Sequence, residues 1–468
     1  MKDTDTIAAI ASGMTSSGVS VIRISGPEAL GVGQKVFRQK KRDGFSELPM
    51  ERTASHTIHY GYVVQDDEPI DEVLLLIMRA PRSFTAEDTV EVQCHGGAFV
   101  TRRVLQAVLA AGARLAEPGE FSKRAFLNGR IDLSQAEAVA DVIQAKNRLA
   151  LKNSVKQLRG SVLHKVKELR DRILDEVSFI EAALDDPEHI EIEGFAEKLE
   201  KENQENLQEI QRLLASAEHG RYLSQGIRTV ILGKPNVGKS SLMNAFVGAE
   251  RAIVTDIAGT TRDTLTEEIS LGEISLQVVD TAGIRSSDDA VERIGISLAK
   301  KEASEADLIL YVADASVPWD ENDEQIVPLL QGKKVLALLN KSDLEARITE
   351  DELRDRLKPA VCDASFLSVS VKAPEDCRKI EQKIKDMFFQ GELAENDEIF
   401  ITAERHREAL QNAAGSLREV ERSIAAGMPE DFFSIDLLHS YQELGYIIGE
   451  EMDEDLVNNI FKKFCMGK

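Results

Sequence analysis

The 468-residue chain is poor in cysteine, in positive charge and in long apolar runs, and each shortage excludes a class of protein. Its four cysteines, Cys94, Cys362, Cys377 and Cys465, form no C-x-x-C pair and have no histidine at zinc spacing. Neither a disulfide framework nor a structural zinc site is therefore expected, and reduced thiols in a cytoplasmic protein are the simplest reading. No apolar run reaches the length of a membrane span; the longest, VLLLIM at 73–78, reads as a buried strand. The opening MKDTDTIAAIASGM has no basic start ahead of an apolar stretch, so no secretion signal is expected. Against 81 Asp and Glu stand only 57 Lys and Arg. A net charge of -24 argues against broad, autonomous binding to a nucleic-acid backbone, while leaving room for a small basic patch or a basic partner.

What is present is enough chain for two to four domains, at the 43% hydrophobic content of a soluble globular protein. Residues 1–120 alternate short apolar runs with turn residues. GVSVIRISG (18–26), HTIHYGYVV (56–64), DEVLLLIMRAP (71–81) and TVEVQCHGG (89–97) read as strands, and VTRRVLQAVLAAGARLA as a helix ending at Gly112. An α+β domain with a mixed sheet follows. From 121 to 222 the texture is helical. Apolar residues at Leu151, Val155, Leu158, Val162, Val166, Leu169, Ile173, Val177 and Ile180 predict one long amphipathic helix, stopped by DDPEH, with a second from Ala196 to Glu218. Such helices need another helical layer, and residues 390–468, helical from about Ala403 onward, supply it. The fold expected is thus an all-α domain split by an insertion at 223–389. Inside that insertion apolar strands (228–232, 274–279, 307–313, 334–339, 366–369) alternate with helices, the pattern of an α/β domain with a parallel sheet.

The insertion carries the clearest chemistry. GKPNVGKS at 233–240 matches G-x-x-x-x-G-K-S/T between a predicted strand and a predicted helix. Gly233 and Gly238 let backbone N–H groups wrap phosphate oxygens, Lys239 reaches the β- and γ-phosphates, and Ser240 offers a hydroxyl to magnesium. DTAG at 280–283 ends a strand, where Asp280 suits the magnesium shell and the Gly283 N–H the γ-phosphate. NKSD at 340–343 ends another; Asp343 matches the paired N–H donors of guanine, which adenine lacks. SVK at 370–372 fits a loop behind the base. Three motifs in order, each at a strand end, predict GTP as the nucleotide. The candidate nucleotide contacts are Asn236, Val237, Gly238, Lys239, Ser240 and Ser241 in the phosphate loop, then Asp280, Thr281, Ala282 and Gly283. Asn340, Lys341 and Asp343, with Ser370 and Lys372, complete the base side. Where Ras-like GTPases place a water-orienting glutamine, this chain has Ile284, which cannot orient water. Glu292 in VERIG and the loop VTDIAGTTRD (254–263), with its carbonyls and hydroxyls at Thr255, Asp256, Ile257, Ala258, Gly259, Thr260 and Thr261, are the candidates to compensate. Asn236 adds a neutral oxygen of the kind that ligates a monovalent cation; a solvated helix charge is the competing reading of Glu292.

Over nearly its whole length the chain resembles the MnmE family of tRNA-modification GTPases, also called TrmE. The resemblance rests on DTIAAIA, VIRISG, HGG (95–97), EPGEFSKRAFLNGRIDLSQAEA (117–138), KPNVGKSSLMNA, IVTDIAGTTRD, DTAGIR, VERIG and the terminal FCMGK. It implies a folate-binding N-terminal domain through which the protein forms a homodimer, a split helical domain and an inserted Ras-like P-loop GTPase domain. It implies, too, a flavoprotein partner, MnmG, which supplies FAD. The implied reaction adds an aminomethyl or carboxymethylaminomethyl group to carbon 5 of the tRNA wobble uridine, from a one-carbon donor such as 5-formyl- or methylene-tetrahydrofolate, with tRNA held mainly through the partner complex. It further implies that hydrolysis is switched on when GTP and potassium bring two GTPase domains together. By position the resemblance makes Asn236, backbone oxygens of Thr255 and Ile257, and Thr260 the potassium ligands, and Ser240 and Thr261 magnesium ligands alongside Asp280. Glu292 becomes the catalytic glutamate acting through a bridging water, beside Arg285 in a switch segment and the phosphate-loop Lys239. Arg23, Glu91, Arg130 and Lys468 become the folate set. Met466 stands where the family's terminal motif has an aliphatic residue, and SVK where SAK is commoner.

Two other readings compete. A regulatory switch for ribosome or RNA assembly would share the GTPase motifs but usually appends a basic RNA-binding domain. A one-carbon transferase gated by the GTPase would differ only in where the chemistry occurs. The remaining histidines and cysteines read as structural: His56 and His59 lie on one predicted strand, and Cys94 on an apolar strand. Cys465 is either a packed residue or a thiol beside a one-carbon donor. Leu456, Ile460 and Phe464 predict the docking face of a last helix that aims the tail, with Gly467 allowing close approach, at the folate domain of this or the other subunit.

Overall fold

The computed structural model describes residues 5–13, 17–42, 44–186, 188–189, 194–249, 266–279, 300–361, 364–389, 399–450, 452, 454–462, 464 and 467. Two compact units form: Met1–Ala140 with Gln157–Glu200 and Gly415–Lys468, and Asp141–Lys156 with Lys201–Ala414.

The first unit holds an eight-stranded mixed sheet. Its strands are β1 (Ile7–Ile10), β2 (Ser17–Ser25), β3 (Phe37–Lys41), β4 (Gly44–Ser46), β5 (Thr57–Gln65), β6 (Glu68–Met78), β7 (Thr89–Gly96) and β8 (Arg114–Leu115), in the order β4-β3-β5-β6-β7-β2-β1-β8. All neighbours are antiparallel except β1 and β8. One face is covered by the helices Ala29–Val36 and Ala98–Ala110, whose Val32, Val36, Val104 and Val108 share a core with Ile22, Val73, Leu75, Ile77 and Val92. Burying each such aliphatic side chain contributes about 1.5–3 kcal/mol.

The other face is covered only in part: Ile7 and Ala9 on β1 pack with Phe121, while β5 and β6 stand open. The run at 73–78 is therefore not buried throughout, as its sequence suggests: Val73, Leu75 and Ile77 point inward, while Leu74 is 39% exposed. Side chains alternate across a strand, so a continuous apolar run turns every second member towards the face left open there. Ile58 (64%) and Tyr60 (47%) lie open on the same face, Tyr60 directly opposite Leu74.

Helices complete this unit. Ser161–Asp185 packs along Glu430–Ile448, with Arg170 over the Tyr441 ring at 3.9 Å, so the layer that the earlier helix needs does come from the far end of the chain. The single long helix expected from Leu151 to Ile180 is instead two, Arg148–Leu158 and Ser161–Asp185. Gly160, at φ +88°, turns left-handed between them. Leu158 and Val162 keep the four-residue step across the break, which is why periodicity alone hides it.

The second unit contains the six-stranded sheet of a Ras-like α/β domain. Its strands are β9 (Ile227–Leu232), β10 (Thr266–Leu271), β11 (Ile274–Val279), β12 (Leu308–Asp314), β13 (Lys334–Asn340) and β14 (Ala364–Ser368), in the order β10-β11-β9-β12-β13-β14. Every described pairing is parallel except β10 with β11. The sequence reading omits β10. With Glu267 and Glu268 exposed it is a charged edge strand, which masks the apolar alternation.

The chain enters this sheet from the helix Phe195–Gln225 and leaves it along residues 399–403. The two crossings touch. A Cβ on Gly220 would lie 2.0 Å from the Ile401 carbonyl oxygen. Asn153 exchanges two hydrogen bonds with the Phe400 backbone, and the Thr402 hydroxyl donates to Asp141 at 2.9 Å. Among the described residues no helix is long and apolar enough to cross a membrane.

Candidate functional site

The nucleotide motifs converge because parallel strands place their C-terminal ends along one edge. β9, almost wholly buried, runs directly into the phosphate loop, and the helix Lys239–Ala249 follows. Gly233 (φ +150°) passes so close to β12 that a Cβ would meet the Val312 carbonyl oxygen at 2.3 Å, and one on Gly238 (φ +106°) would meet Asn340 Nδ2 at 2.3 Å. Only glycine fits either position. Lys239 Nζ donates to the carbonyls of Gly233 (2.6 Å) and Lys234 (2.7 Å), so its ammonium lies across the mouth of the loop. Asn236, at φ +65°, and the serines Ser240 and Ser241 are exposed at the helix entrance.

At the end of β13, Asn340 is a strut between two loops. Its Nδ2 donates to the Val237 carbonyl at 2.7 Å, and its Oδ1 accepts from the Val371 N–H at 3.2 Å. One side chain thus fastens the phosphate loop to the loop after β14. Asp343 accepts from the Ser370 hydroxyl at 2.8 Å, with Lys372 Nζ 3.7 Å away. The Ser370 hydrogen bond holds the Asp343 carboxyl below its usual range, ionised and ready to accept from two N–H donors. Ser370 is itself fixed by its N–H, which donates to Asp376 Oδ2 at 2.7 Å. Lys341, left-handed at φ +63°, pairs with Asp314 at the end of β12. Sequence reasoning did not find the partners of Lys234, whose Nζ sits 2.6 Å from Asp323 Oδ2 and 3.0 Å from Asp320 Oδ2. The position is unspecified in the loop motif, so no signal marks it. Thr255, Asp256, Ile257, Ala258, Gly259, Thr260, Thr261, Asp280, Thr281, Ala282, Gly283, Ile284, Arg285 and Glu292 lie outside the described residues.

The first unit brings a second group together. Arg23 on β2 and Glu91 on β7 are directly opposed in register, with Nε donating to Oε1 at 2.8 Å and both side chains largely buried. The Arg23 guanidinium lies over the rings of Phe84 (5.2 Å) and Phe121 (5.6 Å), and that of Arg130 over Phe84 (5.1 Å). Phe84 therefore joins the two arginines, a residue for which the sequence offers no motif. Arg23 Nη1 is buried without a hydrogen-bond partner, an orphaned donor beside this cluster.

The C-terminal segment also reaches this unit. A Cβ on Gly467 (φ +89°) would lie 2.2 Å from the Ile10 carbonyl oxygen, next to the β1–β2 pair in which Ala9 faces Arg23. The helix Glu454–Phe461 docks through Val457 and Phe461, with Ile460 and Phe464 packed beside them. Leu456, expected on that face, is 45% exposed, because the helix is turned by about one residue from the predicted stripe. Cys465, Met466 and Lys468 lie outside the described residues. Cys94 is buried, and burial pushes its thiol up, as suits a packed residue. The neighbouring His95 is exposed, its Nδ1 2.7 Å from Asp71 Oδ1.

A family model described as "GTP-binding protein TrmE N-terminus" matches residues 6–130, and one described as "MnmE helical domain" matches residues 133–465. The tRNA modification GTPase MnmE of Lachnoclostridium phytofermentans is 54% identical over 466 residues, covering 99% of this chain and 100% of the relative. The chain belongs to the MnmE family. The MnmE of Enterococcus faecalis is 44% identical over 99% of this chain and 98% of its own length. Among solved structures, the G domain of the T. maritima FeoB iron transporter aligns with 34% of this chain and 97% of its own at a TM-score of 0.26 and 24% identity. That likeness is too slight to add to the assignment, which stands on the full-length relatives and on the motif-bearing strand edge.

Proposed function

We propose that this MnmE-family chain is a potassium-activated, cytoplasmic GTPase. With the flavoprotein MnmG it installs aminomethyl or carboxymethylaminomethyl groups at carbon 5 of the tRNA wobble uridine, using a tetrahydrofolate one-carbon donor. The observation that carries the reading is the Asn340 strut. It couples the loop shaped for phosphates to the loop bearing Asp343 and Ser370, so base and phosphates are gripped by one connected edge.

In this mechanism the loop N–H groups and Lys239 hold the phosphates, and the ionised Asp343 selects guanine. Ser240, exposed at a helix start, suits a hard divalent cation, and the neutral side-chain oxygen of Asn236 suits a monovalent one. Magnesium and potassium, when bound, neutralise charge developing on the transferred phosphoryl group. Ser240, Thr261 and Asp280 would hold magnesium. Asn236, Thr255, Ile257 and Thr260 would hold potassium. Because Ile284 cannot orient water, Glu292 is assigned that task through a bridging water, with Arg285 beside it.

For the folate set, the orphaned Arg23 Nη1 and the Phe84-stacked guanidiniums offer donors to the carbonyl and carboxylate oxygens of a pterin and its tail. Lys468 would add a cation from the tail whose Gly467 abuts β1. The open sheet face with Ile58, Tyr60 and Leu74 supports homodimerisation through the N-terminal domain.

Hydrolysis measured in potassium and in sodium buffer tests the activation, and equal slow rates would remove it. Nucleoside analysis of tRNA from a deletion strain tests the pathway. Wobble modification that persists unchanged would favour a purely regulatory switch for RNA assembly.

A further inference from the structure

We propose that Lys234 is a positioning residue of the phosphate loop: its ammonium, locked between Asp320 and Asp323, fixes the backbone that grips the β-phosphate of the guanine nucleotide. The inference rests on the reading of residues 233–240 as the nucleotide loop. Between β9 and the helix Lys239–Ala249, three residues, Gly233, Asn236 and Gly238, take positive φ. A segment so rich in left-handed backbone gains no order from its own propensities, and converging N–H groups need outside ties. Asn340 provides one, at Val237.

Lys234 provides the other. Its side chain is 11% exposed, 2.6 Å from Asp323 and 3.0 Å from Asp320. The anchor is stiff. Asp323, 4% exposed, accepts from the hydroxyl of the buried Tyr311 on β12 at 2.9 Å. Asp320 and Asp323 also cap the helix Glu321–Ile326 reciprocally. Neutralised by two carboxylates, the Lys234 ammonium is committed to this anchor and is not a phosphate ligand. Its carbonyl, meanwhile, accepts from Lys239 Nζ at 2.7 Å. The path therefore runs from Tyr311 and Asp323 through the Lys234 backbone to the lysine that faces the phosphates.

The test uses the full-length protein and a fluorescent GDP derivative, with release followed by stopped flow and guanosine as a phosphate-free competitor. Lys234→Ala is expected to speed GDP release and weaken GDP binding about tenfold, the scale of a lost charge-assisted contact, while guanosine affinity stays at the wild-type level. Lys234→Arg should restore wild-type release. Should Lys234→Ala fail to fold, Asp320→Asn, at the exposed half of the anchor, should give a smaller change in the same direction. Wild-type GDP release in both Lys234→Ala and Asp320→Asn, or equal weakening of guanosine and GDP, would overturn the proposal. Absence of any GDP binding by the wild-type chain would overturn the nucleotide reading itself.

Discussion

The two candidate sites are built in opposite ways. The nucleotide edge draws each contact from the end of a strand, so a short stretch of sequence carries both the residue and its location. The Arg23 cluster is assembled sideways, from β2, β7, the loop bearing Phe84 and the residue Arg130 beyond the helix Glu120–Leu127. No stretch of the chain contains that arrangement, and only register and ring stacking create it. A strand-end site survives as a motif; a cross-strand site survives as separate residues whose partnership the fold alone reveals.

The difference can be broken at its strongest point first. Asp343→Asn should weaken GTP on the order of 10⁴-fold and improve xanthosine triphosphate, because the amide inverts the hydrogen-bond pattern; competition binding would show it, and unaltered preference would count against the guanine assignment. Arg23→Ala should lower affinity for a tetrahydrofolate derivative on the order of a hundredfold by calorimetry, leaving GTP binding intact. Loss of both activities together would mean that the sites are not separable. Ile58→Asp combined with Leu74→Asp places charge on the open sheet face and should raise the dimer dissociation constant at least about tenfold by sedimentation. Phe84→Leu keeps bulk but removes the ring beneath two guanidiniums, and should cost about threefold to tenfold in folate affinity. No change there would return Phe84 to simple packing.

The smallest effect is electrostatic. The Arg114 guanidinium beside Asp5, joined by that of Arg124, holds the Asp5 carboxyl down at about 2 from an ordinary 3.8. A lowered folded value stabilises above the unfolded one, so this contribution is complete above 3.8 and is lost as pH falls towards 2. Asp5 is half exposed, so the loss should stay under about 1 kcal/mol. Thermal melts of Asp5→Asn should show a flatter pH dependence across that window than the wild type.

Particular residues show where sequence reading succeeds. GKPNVGKS and NKSD fix both chemistry and place, because a tight turn after a buried strand leaves little freedom in where the next residues go. Arg23, Glu91 and Arg130 came forward only through family resemblance, since their joining depends on strand register. Lys234 and Phe84 were invisible for a plainer reason: an ion pair or a ring contact between distant residues leaves no periodicity. The break at Gly160 was concealed by an apolar spacing that continues through it, and the outward tilt of Leu74 by neighbours that are apolar on both sides.

The contact between Gly220 and the Ile401 carbonyl has a topological consequence. It pins the two ends of a long excursion to one spot, so the intervening chain is a closed loop whose ends need no further alignment. The entropy of closing such a loop grows only logarithmically with its length, so each doubling of the excursion adds only about 0.6 kcal/mol. This clasp is also part of the core it closes, since Tyr222 and Leu223, just past Gly220, are buried with the strands of the GTPase sheet. A methyl group at position 220, 2.0 Å from that carbonyl oxygen, would force the clasp open where the chain both enters and leaves the domain.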